Sequence, residues 1–168
     1  MMKYSNYLTK IIKSFSYAFS GIGYCIKNEI NMRFHIVATI FVIILSKFYD
    51  FSKAELIVLF LTISLVMGFE IINTSIETLV NMVSPEYNNL AKITKDAAAG
   101  AVLVSAIFAF FIAFLLFWDL DVFKKIFIYY SENIANLCGV ILIIIISYLF
   151  IFKCFKMKKP KNNITLRK

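Results

Sequence analysis

Residues 97–118 read AAAGAVLVSAIFAFFIAFLLFW, 22 consecutive positions without a charged side chain. In hydrocarbon no water is present to satisfy backbone N–H and C=O groups, so a chain crosses it only as a helix or a closed barrel. About 20 mostly apolar residues are enough for one helical crossing. Three further apolar stretches accompany this one: 34–49 (FHIVATIFVIILSKFY), 54–76 and 134–152 (IANLCGVILIIIISYLFIF). The first and last of the four reach spanning length only with their flanks. No stretch shows the alternating pattern of a barrel strand. Hydrophobic residues make up 61% of the 168 positions and charged residues 17%. Soluble domains sit near 45–50% and about 25%. The expected fold is therefore all-α: a helical integral membrane protein with room for one domain.

The segment before the first apolar stretch has a different pattern. Tyr4, Tyr7, Leu8, Ile11, Ile12, Phe15, Phe19, Ile22 and Ile26 recur at helical spacing, with Lys10 and Lys13 on the other side. A cleavable signal would carry a short basic start, an apolar block and a small-residue cleavage site. The spread of Lys3, Lys10, Lys13 and Lys27 does not fit that design. The segment is expected to be an amphipathic helix lying on the membrane surface.

Four spans place both termini on one side, and the cations say which side. Fourteen of the 18 Lys and Arg residues fall before the first span, in the middle loop (Lys92, Lys95) or in the tail from Lys153 to Lys168. Only Lys47, Lys53, Lys124 and Lys125 fall opposite. Positive charge stays inside, so both termini and the middle loop are expected to be cytoplasmic in a multi-pass cell-membrane protein. The net charge of +8 is accounted for by topology and does not call for nucleic acid.

Against this background the end of the second span stands out. Residues 70–77 read EIINTSIE. At 100° per residue, Glu70, Asn73 and Glu77 share one face, and the two acids lie about 10 Å apart along the axis. A charged side chain at the bilayer centre costs roughly 2.5–3.5 kcal/mol on insertion scales, so intramembrane acids mark functional sites by default. Glu29, Lys95 and Asp96 fall at the same membrane face. Carboxylates suit Mg²⁺, which keeps phosphates in its shell. A lysine neutralises phosphate as a point charge, and a carboxylate in reach of a hydroxyl is a base for it. These are the parts that phosphoryl transfer requires. By spacing alone, a proton or ion pathway stands beside that reading.

The motifs themselves carry a resemblance. EIINTSIETLV at 70–80 and AKITKDAAAGAVL at 91–103 resemble the signature of the prokaryotic integral-membrane diacylglycerol kinase family. SFSYAFSGIGYCIKNEINMRFH at 14–35 is similar to that family's N-terminal pattern. The likeness runs over roughly residues 9–118, and its forms are nearest the Gram-positive, undecaprenol kinase branch. The resemblance implies a surface helix (1–33) with helices at 34–49, 54–82 and 90–118. It implies a homotrimer with shared active sites that transfers the γ-phosphate of MgATP to a membrane lipid alcohol at the cytoplasmic face. The leading acceptor is undecaprenol; diacylglycerol, giving phosphatidic acid, is the runner-up. Glu70 would be the catalytic base, and Glu29 and Glu77 the Mg²⁺ ligands. Asn73 would orient the site, Lys95 would meet ATP phosphates and Asp96 would sit by the nucleotide. Lys10, Tyr17 and Gly21 would lie over the nucleotide. No Gly-rich phosphate loop is present, so side chains and the surface helix must hold it.

Two departures accompany the likeness. The family's Val-Asp pair is Val80-Asn81 here, which keeps the shape and loses the charge. Residues 119–168 add an outer loop, a fourth hydrophobic helix and a basic tail to which the sequence assigns no function. Both departures feed an alternative of another class, a membrane assembly or regulatory protein that has lost catalysis; the retained acids and Lys95 argue against it. The remaining features have plain readings. Cys25, Cys138 and Cys154 form no C-x-x-C pair, His35 is a lone histidine at an interface, and Trp118 fits an aromatic belt.

Overall fold

The computed structural model describes residues 2–152, with side chains from residue 7 onward. The described chain folds into six helices: α1 (Met2–Asn28), α2 (Ile30–Ser46), α3 (Lys53–Val83), α4 (Asn89–Phe117), α5 (Leu120–Ser131) and α6 (Ile134–Phe152). No strand occurs among the described residues. The basic tail, with Cys154, lies outside the described residues.

Helices α3, α4 and α6 are each long and apolar enough to cross a membrane. Helices α1 and α2 together pass the same test, but they are bent by 101° at Glu29. That bend turns the amphipathic α1 nearly across the axis of α2, the geometry of a surface helix meeting a span. The bend falls at Glu29, earlier than the boundary at residue 33 expected from the sequence. Glu29 alone leaves the helical region (φ −104°, ψ 120°), and residues 30–33 form the first turn of α2, where Met32 and Arg33 turn inward and are buried. Cys25 of α1 is also buried and sits against Thr74 of α3, which seats the surface helix on the span.

The long pair α3 and α4 forms the centre. Leu59, Val66, Glu70 and Thr74 of α3 and the small or slender Ala98 and Val102 of α4 are buried. Small residues let helix backbones approach where lipid supplies no hydrophobic drive between helices. The helix starts are fixed by local chemistry. Ser52 caps α3 and exchanges hydrogen bonds with Glu55 in a capping box. Asn88 caps α4 through Leu90 and Ala91 N–H groups. Asp119 caps α5 through Asp121 and Val122. Residues 119–133, expected as an outer loop, thus carry a capped amphipathic helix.

The end of the bundle away from Glu29 is knitted by aromatic rings. Tyr49 packs edge-on to Phe117 at 5.0 Å and donates its hydroxyl to the Phe117 carbonyl at 2.6 Å. Phe51 meets Phe117 at 5.2 Å, and Phe48 meets Tyr129 at 5.4 Å. Such rings suit the boundary between hydrocarbon and water. Helix α6 then runs back along α2, bringing Phe152 to Phe34 at 5.9 Å.

Replacing Ser52 with Ala removes the hydroxyl half of the capping box and leaves Glu55 to accept from the residue-52 N–H. Loss of about 1 kcal/mol is expected from such a cap. The thermal midpoint in detergent should fall by a few degrees with assembly unchanged; an unaltered midpoint would show that the cap contributes nothing here.

Candidate functional site

The site begins with the polar residues inside α3. Thr74 and Ser75 use their hydroxyls locally, donating to the carbonyls of Glu70 (2.9 Å) and Ile71 (2.8 Å). Thr78 does the same to Thr74 at 2.8 Å. Such back-bonding is the ordinary way a helix accommodates hydroxyls. Glu70 is different. Its side chain is 0% exposed, and neither carboxyl oxygen has a hydrogen-bond partner among the described residues. The Asn31 amide lies beside it but does not reach hydrogen-bond geometry with either oxygen. A buried acceptor without a donor forfeits about 1–3 kcal/mol, and more when charged. Packing provides no reason to keep it.

Two further carboxyls lie close enough to Glu70 to repel it, those of Glu29 and Glu77. Glu77 comes from the same face of α3, two turns on. Glu29 comes from the elbow between α1 and α2, and its position follows from the backbone there. As the N-cap of α2 it makes no side-chain capping bond, so its carboxyl is free of local duty. Burial pushes the Glu29 carboxyl up from its ordinary pKa, the Glu77 carboxylate adds to the rise, and the Arg33 guanidinium works against it. A proton or a cation would relieve this crowding of negative charge.

The donor set fits a divalent cation of the hard kind. Among the described residues no three His, Cys, Asp or Glu side chains converge as a closed metal cage. Mg²⁺ does not ask for one: it is commonly held by one or two carboxylates, with phosphates and water completing the shell. The coupled Glu29 and Glu77 carboxyls, beside an orphaned Glu70, match that pattern.

Glu70 and Asn73 line a cavity of about 250 Å³ together with Asn31, Phe34, His35, Ala99, Val102, Leu103 and Ala106. His35 and Ala106 also line an apolar groove of about 250 Å³ that continues between α2, α3 and α4 past Val42, Leu59 and Ala113. The polar cavity therefore adjoins a hydrocarbon-lined one. At the α3–α4 turn a third cavity, about 300 Å³, is lined by Asn81, Glu86, Tyr87, Lys92 and Lys95 among others. There the Lys95 ammonium donates to the Asn81 side-chain oxygen. The amide at 81 thus still provides an acceptor for Lys95 and leaves its charge unneutralised.

The other residues singled out from the sequence stand farther off. Gly21 lines a groove between α1 and α3 with Cys25 and Thr74. Asp96 is exposed next to Lys95. Lys10 and Tyr17 are exposed on α1, and Lys10 stands about 27 Å before the elbow at helical rise. The structure brings Glu29, Glu70, Asn73 and Glu77 together and leaves Lys10 and Tyr17 apart from them. Asn31 and Arg33 are site neighbours that sequence reasoning did not single out. Both lie in EINMRFH, the end of the 14–35 motif, which was the available signal.

Comparison with known proteins supplies the family. The family model described as prokaryotic diacylglycerol kinase matches residues 16–117. An undecaprenol kinase from Bacillus subtilis is 38% identical over 112 residues, 67% of this chain and 91% of that protein. A diacylglycerol kinase from Synechocystis is 40% identical over 100 residues, 59% of this chain and 57% of that protein. A diacylglycerol kinase from Escherichia coli is 31% identical over 111 residues, 66% of this chain and 91% of that protein. With its long apolar helices, the chain is a multi-pass membrane protein that belongs to the prokaryotic diacylglycerol kinase family.

Proposed function

We infer that this chain is a lipid kinase that transfers the γ-phosphate of ATP to the hydroxyl of a membrane lipid alcohol, with undecaprenol as the leading acceptor. The observation that carries the reading is the Glu70 carboxyl: fully buried, without a donor, and crowded by Glu29 and Glu77. A group so placed is poised to accept a proton from a hydroxyl presented beside it. As the lipid oxygen forms its bond to the γ-phosphorus, the bond to the ADP oxygen breaks and Glu70 holds the hydroxyl proton. Glu29 and Glu77 are the residues that would hold Mg²⁺, which when bound neutralises charge on the phosphates. Lys95, fixed by Asn81, presents its ammonium as a further cation for phosphate. Asn73 orients the cavity wall beside Glu70, with Asp96, Gly21, Tyr17 and Lys10 on the nucleotide side.

The apolar groove adjoining the Glu70 cavity supports a lipid acceptor, because it offers a hydrocarbon chain an apolar bed beside the acid that its hydroxyl would meet. Undecaprenol is favoured over diacylglycerol because, at the same 91% coverage of the relative, the Bacillus protein that carries that name is 38% identical and the Escherichia coli diacylglycerol kinase 31%. The cation bias supports a site at the cytoplasmic face of the cell membrane with both termini inside. The exposed apolar sides of α3 and α4 leave room for neighbouring copies, in keeping with a homotrimer whose active sites are shared. The test is a mixed-micelle assay offering undecaprenol and diacylglycerol separately with labelled ATP. Phosphorylated undecaprenol should dominate, and Glu70→Gln should lose at least about 100-fold in kcat, the lower range for a general base, with its assembly intact. Label appearing in neither lipid would end the kinase reading; label mainly in diacylglycerol would reverse the choice of acceptor.

Glu77→Gln should raise the Mg²⁺ concentration for half-maximal rate by about 10-fold or more, a loss of roughly 1.4 kcal/mol in metal affinity. Because burial and Glu77 push the Glu29 pKa up, protons compete with the cation at Glu29 at higher pH than for a free glutamate. Half-saturating Mg²⁺ should therefore climb as pH falls, and a titration that is flat in pH and indifferent to Glu77→Gln would remove both residues from the metal site.

A further inference from the structure

The segment beyond residue 117 lies outside the family match, yet it reaches the elbow that carries Glu29. Arg33 makes the connection. It is buried, and its Nε donates to the carbonyl of Ile151 in α6 at 3.0 Å. Its Nη1 donates to the carbonyls of Ile26 (3.1 Å) and Lys27 (3.0 Å) in the last turn of α1. Those carbonyls belong to the group that a helix end leaves without intrahelical donors. One guanidinium thus joins the end of α1, the start of α2 and the end of α6. Beside it, Phe34 and Phe152 meet edge-on at 5.9 Å, and Ile151 is itself buried.

The chemistry suits arginine alone. A planar fork with several fixed donors serves three separated carbonyls at once, whereas an ammonium is a compact point charge on a flexible stem. The bond to Ile151 is made out of water, so without α6 a charged donor would lose its acceptor. Glu29 sits four residues before Arg33, at the one extended residue of the elbow, and has no capping bond to fix it. Its carboxyl therefore goes where the angle between α1 and α2 puts it.

We propose that Arg33 is a positioning residue for Glu29, and that the C-terminal helix α6 is the third member of this clamp, so that α6 tunes how Glu29 meets a divalent cation. The proposal rests on the reading of Glu29 as a metal ligand given above. It turns the added helix from a passive span into part of the machinery that sets metal demand.

The test uses the full chain in lipid nanodiscs as wild type, Arg33→Lys, Phe152→Ala and the double variant. Hydrogen exchange at amides 29–33 reads the clamp without any need for activity. The Mg²⁺ concentration for half-maximal lipid phosphorylation reads its consequence. Both single variants should speed exchange at the elbow and raise half-saturating Mg²⁺ by about 10-fold, the lower range for residues that orient metal ligands. The KM for lipid should hold, and the double variant should be no worse than Arg33→Lys. If Phe152→Ala leaves exchange and metal demand at wild-type values, or if the two effects multiply, α6 has no part in the clamp. Faster exchange with unchanged metal demand overturns the link to Glu29. Should Arg33→Lys fail to fold, Phe152→Ala decides alone. A wild type that phosphorylates no lipid would defeat the kinase reading, while exchange would still decide whether α6 holds the elbow.

Discussion

Glu70 lies in a helix otherwise built for hydrocarbon, out of solvent and with no donor for either oxygen. Two more carboxyls crowd it, one from the same helix and one from the elbow between α1 and α2. Bringing three acids together under these conditions opposes folding, because like charges crowd where water does not solvate them. The arrangement becomes sensible when a cation and a phosphate chain complete it. Much of the surrounding structure holds that unfavourable group in place: the pairing of α3 with α4, the seat of Cys25 on Thr74, and the Arg33 bonds across the elbow.

The elbow links packing to chemistry. A single extended residue lets α1 turn by 101° and lie across the bundle. That same residue is Glu29, the one acid in the cluster that does not come from α3. The far end of the bundle is fixed by rings around Phe117 and Phe48, the near end by Arg33 and Phe34. Helix α6 spans the distance between the two. It therefore couples the aromatic end to the acidic end along a path that the family's matched region does not contain.

Much of this was legible in the sequence, for physical reasons that differ by element. Helices α3 and α4 announce themselves because an uninterrupted apolar run has one solution in lipid. The stripe Glu70, Asn73, Glu77 follows from helical geometry alone. The residue at which the elbow breaks is weakly marked, because Ile30 and Met32 continue the apolar periodicity and no Gly or Pro interrupts it. Helix α5 was read as loop, although Asp119 and Asp121 signal a helix start. Asn31 could not be placed beside Glu70 without the direction of the bend. The Arg33–Ile151 bond was out of reach altogether: the partners are 118 residues apart, and the acceptor is a carbonyl that every residue carries.

The central claim is that Glu29 and Glu77 hold a divalent cation against ATP phosphates, with Glu70 facing the transferred group. A structure of the protein bound to Mn²⁺ and a non-hydrolysable ATP analogue, with the metal located by anomalous scattering, tests it most directly. The account predicts a metal peak bridging the Glu29 and Glu77 carboxyls, with the terminal phosphate turned toward the Glu70 cavity. A metal and nucleotide bound elsewhere, or Glu29 and Glu77 left without either, would contradict it.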